Sequence, residues 1–147
     1  MDRDDVISTL NDLIETSKDG EEGFRTCADN VKNPTLKTFF LQKSERCREG
    51  AGQLQQIVRE MGGDPERTSS TAGAIHRFWV NIRAAISGMD DHAILAECER
   101  GEDAAKRSYE KALQQDLPGD VRMAVERQYR EVVANHNRVK ELRNITA

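Results

Sequence analysis

Apolar residues recur along most of this chain at alternating spacings of three and four, the signature of helices that bury one stripe. Leu10, Ile14, Ser17, Glu21, Phe24, Ala28 and Val31 predict a first helix over about Asp4 to Val31. Asn33-Pro34 stops it and starts the next, since asparagine caps a helix and proline is tolerated in its first turn. Leu36, Phe40, Cys47, Gly50, Leu54, Ile57 and Met61 mark a second helix over about Pro34 to Met61, ended by Gly62-Gly63-Asp64-Pro65. A polar link, Glu66 to Thr71, leads to a shorter amphipathic segment over about Ala72 to Ser87. Its apolar face is Ile75, Phe78, Trp79, Ile82 and Ile86. Gly88 closes that segment and Asp90 can cap a third long helix with Leu95, Cys98, Glu102, Ala105, Tyr109 and Ala112 on its seam. After Leu117-Pro118-Gly119-Asp120, a fourth long helix to about Asn144 presents Val121, Val125, Tyr129, Val132, His136, Val139 and Leu142.

Loop lengths turn these elements into an architecture. Tight turns join long helices one and two, and three and four, which makes each pair antiparallel neighbours. A crossover of about 27 residues with its own short helix separates the pairs, the up-down-down-up topology of a ferritin-like four-helix bundle. Residues 1–147 are expected to form one domain of this kind.

Composition narrows the function without supplying it. Aromatic residues are 5% of the chain and charged residues 33%, with a formal net charge of −4 spread along its length. There is no basic stripe for nucleic acid and no long apolar run for a membrane. The first residues lack a basic-then-apolar leader pattern, so a cytoplasmic protein is expected. Cys27, Cys47 and Cys98 form no CxxC and sit among apolar neighbours, as small reduced core residues do.

Three blocks, LNDLIETSKDGEEGF, GAIHRFWVNIRAAISG and ILAECERGEDAAKRSYEKAL, occur in this order. Together they resemble a bacterial group of four-helix-bundle proteins, the DUF2383 family of ferritin-like domains. The likeness runs from about Val6 to Leu142. It implies a ferritin-like fold and carries no activity with it.

That fold class invites a test for a di-iron centre, which takes one glutamate from each of two helices and a Glu-x-x-His from each of the others. Glu21 and Glu102 do stand on apolar seams, with Glu99 a turn before Glu102, and an acid on a seam is costly unless paired or ligated. The remaining half is missing: the second helix reads Cys47-x-x-Gly50 and the last reads Val133-x-x-His136, with Glu131 five residues upstream of the histidine.

Glu21, Glu102 and His136 fall at similar heights, and with Glu99 they make a candidate metal or polar-ligand site, assisted by Glu45 or Glu49. The plainer reading is a buried polar cluster in which the acids meet His136, Arg46 or Tyr129. On the crossover, His76 and Arg77 flank the aromatic pair Phe78 and Trp79, the candidate interface for a partner or a second copy. Tyr109 and Tyr129 are expected to pack in the core, and His92, beside two aspartates, to be solvated. The sequence therefore points to a non-catalytic bundle that self-associates as a homodimer and needs no cofactor. The alternative is a degenerate metal-binding relative that holds a single ion.

Overall fold

The computed structural model describes residues 1–65 and 73–146. Among them the chain is all helical: α1 (Arg3–Asn30), α2 (Pro34–Glu60), α3 (Gly73–Ala85), α4 (Asp91–Leu113) and α5 (Gly119–Ile145), with a 3₁₀ turn over Ile86–Gly88 after α3. The polar link expected from Glu66 to Thr71, and the expected first residue of α3, Ala72, lie outside the described residues. No helix among the described residues is long and apolar enough to cross a membrane.

The helix ends are set by the expected chemistry. Asp2 accepts from the Asp5 N–H at 2.9 Å, Asn33 from Thr35 at 2.8 Å and Asp90 from Ala93 at 2.8 Å, each relieving an orphan donor of a first turn. Gly62 ends α2 at φ +80°, a conformation that a side chain resists. Asp91 does more than begin α4. Its carboxylate accepts from the Lys32 and Asn33 N–H groups at 2.8 and 3.0 Å, and so fixes the α1–α2 turn to the start of α4.

The apolar interior is divided in two. One cluster gathers Phe24, Cys27, Phe40, Trp79, Leu95, Cys98 and Val139. The other gathers Leu10, Ile14, Leu54, Val58, Tyr109, Val121 and Val125. Between them α1, α2, α4 and α5 contribute a layer of small and polar residues, and this layer holds the candidate site.

Trp79 decides how α3 sits. It is 2% exposed and meets Phe24 edge-on with ring centroids 5.4 Å apart. The indole lies on two glycines of facing helices: a Cβ on Gly23 of α1 would fall 2.3 Å from the ring, and one on Gly101 of α4 2.4 Å. Trp79 is thus consumed by its own chain and is not the free half of an interface. Phe78, beside it, is half-buried.

Two alanine substitutions should have opposite signs. Gly23→Ala drives a methyl into the indole, and overpacking outweighs the helix-propensity gain by about 2 kcal/mol. Gly52→Ala, with nothing within 4 Å of the new Cβ, should stabilise by about 0.5–1 kcal/mol. Chemical denaturation followed by far-UV circular dichroism reads both.

Candidate functional site

The four residues read from sequence as metal ligands do not converge. Glu21 is directed toward Arg25 on its own helix at 3.8 Å. Glu99 has Arg143 Nη1 at 2.9 Å, which ties α4 to the end of α5. His136 Nε2 lies 2.7 Å from an Asp103 oxygen instead of facing Glu102. Of these four, Glu102 alone lines the central cavity. No group of three or more His, Cys, Asp or Glu side chains among the described residues is placed to hold a metal ion. The donor set that a carboxylate-bridged centre needs is therefore not assembled here.

The supporting residues disperse in the same way. Glu45 pairs with Arg48, and Glu49 lies 3.9 Å from Arg46, whose closer partner is Glu131 of α5 at 3.1 Å. The Tyr129 hydroxyl donates to Glu110 at 3.0 Å. On α3, His76 Nδ1 is 2.7 Å from Asp19 and Arg77 is exposed, while His92 is exposed with Nδ1 2.9 Å from the Thr146 carbonyl oxygen.

What remains at the centre is a cavity of about 60 Å³. Glu102 and Gly101 of α4, Ser17 and Gly20 of α1, Cys47 and Gly50 of α2, and Gln128 of α5 line it, with Phe24 and Trp79 as its aromatic wall. A space of that size holds a few waters or one small molecule. The exposed Arg46–Glu131 pair, also in the lining, bridges α2 and α5.

Most of the polar lining is internally satisfied. Ser17 and Tyr109 hydroxyls lie 3.5 Å apart, Tyr109 donates to Gln128 Oε1 at 2.8 Å, and Gln128 Nε2 donates to the Gly50 carbonyl and to Gln53 Oε1, both at 3.1 Å. Glu102 stands apart from this chain of bonds. It is 4% exposed, and its carboxyl makes no hydrogen bond or ion pair among the described residues.

Burial therefore pushes the Glu102 carboxyl up to about 8; Lys43 opposes the shift and Asp103 adds to it. The same burial holds the Lys43 ammonium below its ordinary value, against the pull of Glu102. It also raises the Cys47 thiol and the Tyr109 phenol well above theirs. At neutral pH the cavity thus presents a protonated acid, a thiol and a phenol, with no thiolate or phenolate nucleophile.

Gln128, Ser17 with Tyr109, and the wall formed by Trp79 were not identified as site residues from sequence. The signal was present but ambiguous: from Val125 a helical seam proceeds to Gln128 or Tyr129, and from Ser17 to Gly20 or Glu21. The structure takes the three-residue step both times. Gln128 is buried because Tyr109 and Gly50 satisfy its amide, and Gly20 faces inward because Cys47 Sγ would lie 3.0 Å from any Cβ there.

A family model described as a domain of unknown function, DUF2383, matches residues 5–115. It takes in α1 to α4 and stops before α5, short of the Leu142 to which the sequence resemblance extended. A search of curated proteins finds no match.

The raised Glu102 carboxyl gives a signed pH dependence. The native state keeps a proton that the unfolded chain loses near 4.5, so this group's contribution is complete below 4.5 and is lost as pH rises to about 8. Glu102→Gln should match the wild type near pH 4.5 and exceed it by about 5 kcal/mol at pH 9, read from urea denaturation at both pH values.

Proposed function

The chain belongs to the DUF2383 family, and because that family is a domain of unknown function, we propose from its own residues that it is a non-catalytic helical bundle binding a small organic cation beside Glu102. One observation carries this: a buried carboxyl lines a cavity and makes no hydrogen bond or ion pair among the described residues, where Lys43 is the only positive charge acting on it. A carboxylate in that position is expensive alone and inexpensive beside a positive charge. Phe24 and Trp79 add aromatic rings to the same wall, and such rings beside a carboxylate favour ammonium and guanidinium groups. The protonated state of Cys47 and Tyr109 favours binding over catalysis.

The bundle we assign to this role is the ferritin-like one, two antiparallel hairpins around the cavity. Support comes from pairs that fit α1 and α2 running antiparallel: Arg3 at the start of α1 donates to the Met61 carbonyl just past the end of α2 at 3.1 Å, and the Ser44 hydroxyl within α2 donates to the Glu21 backbone carbonyl within α1 at 2.7 Å. A metal ion has weaker support, since Glu21, Glu99 and His136 each have a partner outside the cavity. Self-association as a homodimer is a second reading. It rests on Phe78, half-buried at the rim of a groove with Ile75 and Ala104. Sedimentation across micromolar concentrations tests it: a dimer weakened by Phe78→Ser supports it, and a monomer throughout overturns it.

Methylammonium titration tests the principal reading, with the single tryptophan, Trp79, as reporter. Saturable binding is expected, with apparent affinity rising about tenfold per pH unit until about pH 8, because the cation displaces the Glu102 proton. Calorimetry at pH 7 in two buffers should show about one proton released per cation bound. Glu102→Gln should lose saturable binding while staying folded. An unsaturable response that is the same in both proteins and independent of pH would overturn the proposal.

A further inference from the structure

One turn from the indole seat, α1 and α4 bring two thiols together. Cys27 Sγ and Cys98 Sγ lie 3.1 Å apart, and both residues are fully buried. They are 71 residues apart in sequence, so the contact is made by the packing of α1 on α4 and by nothing local. Both are free thiols, as is Cys47. Cys47 sits instead against Gly20.

We propose that Cys27 and Cys98 are a reversible two-electron redox site that takes a small hydroperoxide as oxidant and a dithiol as reductant. Two thiols in contact inside one fold need only a short movement to bond, and the bond would link α1 covalently to α4. The central cavity, large enough for a water-sized oxidant, ends at Gly101 and Trp79, and Gly101 is one helical turn from Cys98; the last step to the sulfurs needs a local opening of α1 from α4.

The chemistry balances in two steps. One thiol, as its thiolate, attacks a peroxide oxygen; the O–O bond breaks, hydroxide leaves and takes up the thiol's proton as water, and a sulfenic acid remains. The second thiolate attacks that sulfur; the S–S bond forms, the S–O bond breaks, and hydroxide leaves with the second proton as another water. Overall, two thiols are oxidised by two electrons and one hydrogen peroxide is reduced to two waters. A dithiol reverses the process by exchange through a mixed disulfide.

Burial sets the tempo. It holds the Cys98 thiol well above its ordinary value, with Cys27 and the acids Glu102 and Glu97 adding to the shift. Thiolate is therefore scarce in the closed fold, and oxidation should accelerate with pH and with mild destabilisation that opens α1 from α4. The oxidised form closes a long loop of the unfolded chain and should melt higher, by on the order of 10 °C.

Hydrogen peroxide treatment of the full chain, then alkylation under denaturing conditions and non-reducing peptide mapping, tests the proposal. The expected product has its free thiols reduced from three to one, a mass lower by about 2 Da, and a crosslink between the Cys27 and Cys98 peptides. Cys47 should be the alkylated thiol, and dithiothreitol should restore all three. Cys47→Ser should give the same crosslink. Cys98→Ser should give none and stop at a Cys27 sulfenic or sulfinic acid; the wild-type peptide map stands as the test if that variant folds poorly. Three free thiols after exposure, oxidation to separate sulfinic acids, or a crosslink through Cys47 would each overturn the proposal.

Discussion

The packing of this bundle depends on one indole resting on two glycines. The α3 helix is short and mostly exposed, and apart from Trp79 its apolar residues are half-buried or exposed. The pairs His76–Asp19 and Arg83–Glu22 join it to α1 at the surface, where such contacts contribute little. Burying Trp79 contributes about 3 kcal/mol, enough to hold the helix in place where surface pairs are not. The seat exists because Gly23 and Gly101 have no side chains, and it sets the distance between α1 and α4. A turn to one side, that distance brings Cys27 against Cys98; a turn to the other, it leaves the space that Glu102 lines.

The polar layer has two parts with different energetics. Ser17, Tyr109, Gln128 and the Gly50 carbonyl form a closed set, in which the buried amide and phenol recover by hydrogen bonding most of what they lose in desolvation. Glu102 recovers little. Its proton relieves the charge but leaves a carboxyl with no hydrogen bond among the described residues, and Lys43 offsets only part of the cost of ionisation. An apolar side chain of similar size would stabilise this position. A group that lowers stability while its neighbours form a complete network is where binding is most economically sought.

Sequence periodicity was sufficient for the helices, because their caps and breakers, Asn33-Pro34, Gly62 and Asp90, act locally. It also placed Glu102 on a seam and Trp79 on the buried face of α3. It could not settle the centre of the bundle. There the seam can advance by three residues or four, and the choice between Gly20 and Glu21, or Gln128 and Tyr129, depends on which partner waits on another helix. The histidines misled for a related reason. His136 stands at the right height on α5, but Asp103 lies at the edge of α4 and captures it before it can turn inward. The contact of Cys27 with Cys98 is non-local, and spacing within either helix carries no sign of it.

Cys98 and Glu102 are four residues apart on α4, and so share a face of that helix. A negative charge on Glu102 makes the Cys98 thiolate harder to form. Protonated Glu102, or Glu102 paired with a cation, removes that obstacle; ionised and alone, it strengthens it. The carboxyl and the dithiol are therefore not independent. Whatever neutralises Glu102 in the cavity also eases the charge felt by the sulfur one turn away, through a single rigid helix and without any movement of the fold. The coupling runs in both directions, since a thiolate at Cys98 raises the cost of ionising Glu102 by the same amount. Once the two sulfurs are bonded there is no thiolate to repel the carboxylate, so the oxidised bundle tolerates the charged form of Glu102 better than a reduced one that carries a thiolate.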